Sequence, residues 1–198
     1  MSAPELPQAG PADILRFWFE GDHLAFQERW FKRDDAFDAA IRARFGTLPA
    51  AARAGALDAW AATPGGALAL AIVLDQFPRN LHRGHAEAFA CDAKARAVAR
   101  QAVLRDRHDL KLTPTERTFL YLPFEHSEAM ADQDLSVALF EGLRDDPVQR
   151  APGGPIDYAW RHWQVIRRFG RFPHRNAALG RESTAEEAAY LATPGAGF

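Results

Sequence analysis

Hydrophobic residues recur at every third or fourth position along most of the chain, which is the period of an amphipathic helix. In the segment DDAFDAAIRARFG, Phe37, Ile41 and Phe45 are four residues apart, and Gly46 follows them as a helix terminator. No long segment alternates between apolar and polar residues, as a half-buried strand would. The pattern therefore predicts an all-α fold.

Capping residues predict where the helices begin. In PADILRFWFEG, Pro11 opens a short helix that ends at Gly21. Thr63 precedes Pro64 and a segment, residues 68–74, that is apolar on nearly every side, so we expect a buried central helix there. From such signals we expect about eight or nine helices. The remaining starts are predicted at Asp92, at Thr113 in the capping box TPTE, at Ser127, after the loop APGGP of residues 151–155, and at Ser183 and Thr184.

The pattern also predicts where some of these helices end. We expect an Ala- and Arg-rich helix from Asp92 to about Arg105 and an acidic amphipathic helix from Ser127 to Leu143. Pro123 should end or kink the helix that the capping box starts, because proline has no backbone N–H to donate.

The helices follow one another without a consensus repeat of about 34 residues. Their helix–turn–helix succession is typical of a TPR-like α-solenoid or of an irregular helical bundle. A chain of 198 residues suits one domain of this kind. Residues 1–10 contain two prolines, one glycine and few apolar side chains, so we expect a disordered leader there. Residues 11–198 are expected to form a single helical domain.

The composition narrows the class of protein. Hydrophobic residues make up 47% and charged residues 25% of the chain, which is typical of globular domains with a core. The net charge of -2 argues against a general nucleic-acid binder. Cys91 is the single cysteine, and we expect it to be a buried, inert thiol. The N-terminus lacks signal-peptide regions and no stretch approaches about 18 apolar residues, so we expect a cytoplasmic protein without a membrane span.

Two segments far apart in the chain repeat one theme. DQFPRN occupies residues 75–80, and the Arg-rich segment RRFGRFPHRNAALGR occupies residues 167–181. Gly170 is a natural helix terminator and Pro173 prevents the helix from continuing, so FPHRN should form a turn. We expect Pro78 to stop the earlier helix in the same way. Each turn would then present an Arg–Asn pair in a fixed direction beside a buried phenylalanine.

The same segments carry a resemblance to a known family. DQFPRN, YLPFEHSE (residues 121–128) and RFGRFPHRN (residues 168–176), in this order and spacing, resemble the bacterial domain-of-unknown-function 924 family. The likeness covers essentially the whole chain from about Asp13. It implies a tetratricopeptide-type helical fold, and it brings no established activity.

Charged residues are unevenly distributed in the second half of the chain. Residues 125–146 contain seven acidic side chains and one arginine, whereas residues 161–181 contain six arginines and no acidic side chain. The two blocks could neutralise each other across neighbouring helices. This explains Arg171 and Arg175 less well, because helix pairing requires neither a proline-fixed turn nor an adjacent asparagine. Internal ion pairing and an anion-binding groove therefore stay open as alternatives.

Asp75 lies where an almost entirely apolar helix ends, and a carboxylate there should be paired. Its partner is either Arg79, if helical geometry persists, or Arg175 of the second segment. In both cases we expect a polar network that is at least half-buried.

The main hypothesis is a polar groove that binds a small anionic metabolite or the acidic end of a peptide. The side chains expected to line it are Asp75, Arg79, Asn80, Glu125, His126, Glu128, Arg171, His174, Arg175 and Asn176. The arginines would bind the anion and the asparagines would orient it or the backbone. Trp160 and Trp163 are expected in the core and not as stacking platforms for a ligand.

Two other functions stay open. An enzyme could use His126 or His174 for acid–base chemistry, with Glu128 or Asp75 as the orienting carboxylate. A TPR-like scaffold could bind a partner protein on a concave face. Ser127 and Glu128 could instead cap a helix N-terminus, where acidic side chains suit the helix dipole. Neither a metal nor a cofactor is expected, because the histidines lack the short spacing of helical metal ligands and no nucleotide-binding motif occurs.

Overall fold

The computed structural model describes residues 9–197, and within this range every regular element is helical. The all-α fold class is thereby confirmed. Most of the expected leader, residues 1–8, lies outside the described residues. Nine helices run through the described part of the chain, in agreement with the expected eight or nine.

We number these helices α1 to α9 in chain order. They are α1 (Pro11–Phe19), α2 (Asp35–Phe45), α3 (Leu48–Arg53), α4 (Pro64–Ala71, continued by a π-helical segment over Ile72–Gln76 and by Phe77–Leu81), α5 (Asp92–Arg100, continued by a π-helical segment over Gln101–Arg105), α6 (Pro114–Glu125), α7 (Met130–Glu141), α8 (Pro155–Phe169) and α9 (Ala185–Leu191). Short 3-10 turns lie between them at Glu28–Trp30, Asp58–Ala62, Ala86–Phe89, His108–Lys111 and Pro173–Arg175.

Capping side chains fix the starts of four helices in the described part of the chain, and Thr63 does so for α4 by accepting from the N–H of Gly66. Thr113 and Thr184 each accept a hydrogen bond from the backbone N–H three residues on, and the glutamate at that position bonds back to form a capping box. Asp34 caps α2 by accepting from the N–H groups of Ala36 and Phe37. These signals act within one turn of the chain, which is why the sequence predicts the starts well.

Helix α4 forms the centre of the core. Its residues 67–74 have no exposed surface, and it packs against α1, α5 and α6. The ring of Trp18 on α1 lies 5.8 Å from that of Phe77 and 5.4 Å from that of Phe119. Helices α6, α7 and α8 pack in succession beside this centre. The arrangement fits an irregular bundle, while the TPR-like solenoid stays a prediction.

Two prolines do not end their helices. Helix α4 continues past Pro78, and α6 continues past Pro123 to its last residue two positions on, so the expectation that Pro78 stops the helix is wrong. Pro78 follows the π-helical segment and occupies the first turn of the α-helical stretch after it, where a missing N–H costs least. The continuation keeps Asp75 and Arg79 one helical turn apart.

The acidic helix α7 is shorter than expected. It begins at Met130 instead of Ser127 and ends at Glu141 instead of Leu143. The hydroxyl of Ser127 donates to Asp132 at 2.8 Å, so this serine belongs to the turn before the helix.

The two tryptophans of α8 lie at its contact with α7. Trp160 is 39% exposed, so the expectation that it belongs to the core is wrong; its indole N–H donates to Glu141 at 2.8 Å. Trp163 is partly buried against the core and donates to Asp134 at 2.7 Å. Both side chains therefore join α8 to α7.

Two features bear on the expectations from composition. Within residues 9–197, no helix is both long enough and apolar enough to cross a membrane. Cys91 is a buried free thiol, and burial raises its pKa, as an unreactive cysteine requires.

Candidate functional site

Helix α4 places Asp75 and Arg79 one turn apart at its buried end. Nη1 of Arg79 lies 3.3 Å from Oδ1 of Asp75 and donates to the Asp75 carbonyl oxygen at 2.7 Å. The Asp75 carboxylate is 1% exposed and accepts a further hydrogen bond from Nε2 of Gln76 at 2.5 Å. Of the two partners considered for Asp75, Arg79 is therefore the one that contacts it.

Asp92, the first residue of α5, completes the pairing of Arg79. Nη1 and Nη2 of Arg79 donate to the two oxygens of Asp92 at 2.9 and 3.1 Å, a bidentate pair. Burial raises the pKa of Asp75, but the charge of Arg79 and the interaction with His126 outweigh it and hold that pKa well below its usual range. Arg79 is thus committed to two carboxylates. The sequence does not reveal this role of Asp92, because its position signals only a helix start.

His126 directly follows α6, and its ring faces Asp75. Nδ1 lies 2.9 Å from both carboxylate oxygens. Burial and the positive charge of Arg79 lower the pKa of His126 in spite of the opposing effect of Asp75, so the ring is neutral at neutral pH. Because Asp75 is ionised, Nδ1 carries the proton and Nε2 keeps its lone pair. His126 is therefore an oriented hydrogen-bond acceptor.

Arg175 lies on the short turn after α8. Its guanidinium carbon is 4.4 Å from the ring centroid of Phe172 and 4.7 Å from that of Phe89. Nη1 contacts Asp92 at the long distance of 3.5 Å, and Nε is buried without a hydrogen-bond partner among the described residues. Burial, followed by the charge of Arg79, lowers the pKa of Arg175 to about 10, so the side chain remains a cation.

We call five of these side chains the buried ion network. They are Asp75, Arg79, Asp92, His126 and Arg175. The two carboxylates balance the two guanidinium groups, and the neutral imidazole adds no charge. Since Asp92 already forms a bidentate pair with Arg79, Arg175 is the most weakly paired ion of the network.

Three histidines lie near one another beside the network. The ring centroids of His126 and His162 are 6.0 Å apart, and the ring of His174 is 5.5 Å from that of Phe172. Burial, followed by the charge of Arg175, lowers the pKa of His174 to about 3. In the described part of the chain, no group of three or more histidine, cysteine or acidic side chains is arranged to hold a metal ion.

The other predicted site residues have partners outside the network. They are Asn80, Glu125, Glu128, Arg171 and Asn176. Asn80 donates to Oδ1 of Asp38 on α2 at 2.7 Å. Oε1 of Glu125 lies 2.9 Å from Nδ1 of His162 on α8. These two side chains hold neighbouring helices together.

Three of the predicted residues anchor the C-terminal segment. Arg171 donates to both carboxylate oxygens of Glu187 at 2.6 and 2.7 Å. Arg181 donates to both oxygens of Glu128 at 2.8 and 3.0 Å, and its Nε donates to Asn176 at 3.0 Å. Arg171 and Glu128 are therefore already paired within the fold, unlike Arg175.

Within residues 9–197, the arginines of the basic block form one ion pair with the acidic block, that of Arg181 with Glu128. Other arginines of the basic block pair elsewhere; Arg168, for example, donates to Glu186 of α9 at 2.8 Å. Mutual neutralisation of the two blocks therefore accounts for little of the basic segment.

The fold and the site together define a class of protein: an all-helical bundle that buries a charge-balanced network between its central helix and a proline-fixed turn. The chain belongs to the family described as bacterial protein of unknown function, domain of unknown function 924, whose model matches residues 14–195. It is similar to the solved structure of the protein of unknown function ATU0120 from Agrobacterium tumefaciens, with 39% identity over 92% of this chain and 96% of that chain and a TM-score of 0.82. No curated protein matches the chain. The resemblance inferred from three motifs is thus confirmed.

Proposed function

We propose that this cytoplasmic protein binds a small anion, through a carboxylate or phosphate group, at Arg175. The observation that carries the proposal is the buried guanidinium, whose Nε lacks a hydrogen-bond partner among the described residues and whose contact with Asp92 is 3.5 Å long. A buried cation is costly unless good geometry and further hydrogen bonds compensate its desolvation. An anion beside Arg175 would supply both.

The aromatic rings around Arg175 fit this function. Phe172 and Phe89 lie within contact distance of the guanidinium and restrict its orientation. A planar guanidinium held in this way is suited to bidentate recognition of carboxylate or phosphate. Arg79 supports the site without binding the ligand, because its charge is already paired with Asp75 and Asp92.

Binding of an anion to the native state should raise its stability. The gain is RT ln(1 + [L]/Kd), or about 2.7 kcal/mol when the ligand is at a hundredfold excess over Kd. We expect the melting temperature to rise saturably with phosphate or a small carboxylate, beyond the rise in sodium chloride of the same ionic strength. Differential scanning calorimetry over a concentration series measures this response.

Two variants test whether the response depends on Arg175. Arg175→Gln should abolish it. Arg161→Gln is the matched control, because Arg161 is an exposed arginine of α8 that stacks over the ring of Tyr158, and its loss removes the same charge. A response that survives Arg175→Gln, or the absence of a saturable response to any phosphate or carboxylate, contradicts the proposal.

The pair of Asp75 and His126 favours acid–base catalysis as a second candidate function. A neutral histidine oriented by a buried carboxylate has the geometry of a general base. Under this alternative, His126→Gln abolishes turnover of an anionic substrate while its affinity, measured by calorimetry, changes little. Unchanged turnover in the variant would exclude His126 as the base.

A further inference from the structure

His126 offers a hydrogen-bond acceptor that no other residue in the described part of the chain uses. Its Nδ1 is held by Asp75, and Nε2 has no hydrogen-bond partner among the described residues. The His126 side chain is 14% exposed, whereas Asp75 behind it is 1% exposed. The orientation of the ring is therefore fixed from the buried side, and the lone pair of Nε2 is left for a ligand.

This acceptor lies in the same cluster of side chains as Arg175. The ring of His126 is 6.0 Å from that of His162, which is 5.5 Å from the ring of Phe172. The guanidinium carbon of Arg175 is 4.4 Å from the centroid of the Phe172 ring. His126 and Arg175 are thus linked through the contiguous rings of His162 and Phe172.

We infer that the anion bound at Arg175 carries an O–H donor beside its charged oxygens, and that Nε2 of His126 accepts the hydrogen bond from it. The inference rests on the proposed function and specifies its ligand class. Hydrogen phosphate and 2-hydroxycarboxylates have this chemistry. Sulfate and simple carboxylates have acceptor oxygens alone, so they would set an oxygen lone pair against the lone pair of Nε2.

The charged and titratable groups around His126 keep this acceptor in place at neutral pH. Those acting on it are Asp75 and Arg79 from α4, Glu125 from α6, His162 from α8, and His174 from the turn after α8; Arg175 of that turn acts on His174. Burial and Arg79 lower the pKa of His126 below the usual 6.5, so Nε2 accepts at pH 7.5. Protonation in acid converts Nε2 into a donor, which suits sulfate as well as phosphate.

Two matched pairs of anions test the inference by isothermal titration calorimetry at pH 7.5. Hydrogen phosphate is compared with sulfate, and glycolate with acetate, all at one ionic strength. Hydrogen bonds to charged partners typically change affinity by about 10- to 100-fold, so we expect the O–H-bearing member of a pair to bind more tightly by at least about 10-fold. The preference should decline only once the pH falls below the lowered pKa of His126 and the ring becomes protonated.

Variants separate this inference from the proposed function. His126→Phe keeps a ring but removes the acceptor, so both affinity ratios should fall to about one; Arg161→Gln should leave them unchanged. If His126→Phe does not fold, the wild-type ratios decide alone. Equal, Arg175-dependent affinities for hydrogen phosphate and sulfate and for glycolate and acetate overturn the inference but not the proposed function. No binding of any of the four anions contradicts both.

Discussion

The two Phe-Pro segments, FPRN at residues 77–80 and FPHRN at residues 172–176, differ in backbone and in the pairing of their arginines. The first continues a helix, whereas the second is a turn that follows Gly170 with its left-handed φ of 69°. Arg79 contacts two carboxylates, and its contacts with Asp92 are bidentate. Arg175 has one long contact with an acid. Two similar sequence motifs therefore differ in how their arginines are paired.

The difference arises from which acidic residues each backbone can reach. A continuing helix brings the carboxylate four residues earlier under Arg79, and the start of α5 supplies the second. The turn around Arg175 lies in a stretch without acidic side chains, residues 161–181. An arginine is available to a ligand where the fold leaves its donors unused, which the local motif alone does not determine.

The largest difference in unfolding free energy is expected when the arginine of each segment is replaced. Arg79→Met leaves Asp75 and Asp92 without their main partner, and loss of one member of a buried ion pair costs about 3–5 kcal/mol. Arg175→Met strands no carboxylate, because Asp92 keeps Arg79, so we expect a loss of about 1–2 kcal/mol from the ring contacts. Denaturant unfolding followed by circular dichroism measures both. Equal losses would show that Arg175 is as firmly paired as Arg79.

The second segment should contribute to the pH dependence of stability through His174, and His126, whose pKa is also lowered, should contribute in the same direction. The pKa of His174 is lowered to about 3 in the fold, from 6.5 in the unfolded chain. Between these values the unfolded state binds a proton that the folded state does not, so stability is highest above pH 6.5 and falls as the pH drops toward 3. One such proton changes the unfolding free energy by at most about 1.4 kcal/mol per pH unit.

His174→Gln should reduce this dependence between pH 7 and 5 and leave the part that His126 contributes. The first segment serves as the internal comparison, because the pKa of Asp75 is held well below its usual range and this carboxylate stays ionised over the same interval. Unfolding free energies at several pH values, measured for the wild type and the variant, give the two slopes. Parallel slopes would mean that His174 does not carry the acid sensitivity.

The sequence predicts where helices begin better than it predicts which side chains pair with one another. Thr113 and Thr184 reveal helix starts because a cap acts within four residues. The pairing of Arg79 with Asp92, by contrast, depends on how α5 packs beside α4, and no local signal encodes it. Pro78 was misjudged because the preceding π-helical segment, which accommodates it, has no sequence signature of its own.

For single side chains of the candidate site, too, the partner depends on packing that the local sequence does not encode. Asp75, Arg79, His126 and Arg175 do come together, because the motifs that contain them converge around the end of α4. Arg171 has the composition of a ligand-binding residue, yet it pairs with an acid of the last helix. Only the packing of that helix distinguishes it from the under-paired arginine four residues later.

The smallest difference in unfolding free energy is expected between replacements of the two asparagines. Asn80 gives one hydrogen bond to Asp38, which keeps two others from Arg83, so Asn80→Ala should cost about 0.5–1 kcal/mol. Asn176 is 1% exposed and bonds three side chains, including Arg181, so Asn176→Ala leaves buried partners unsatisfied and should cost about 1–3 kcal/mol. Urea unfolding of both variants measures the difference. Because both asparagines serve the fold, neither replacement should change anion affinity; a loss of affinity confined to Asn176→Ala would instead place that asparagine in the site with Arg175.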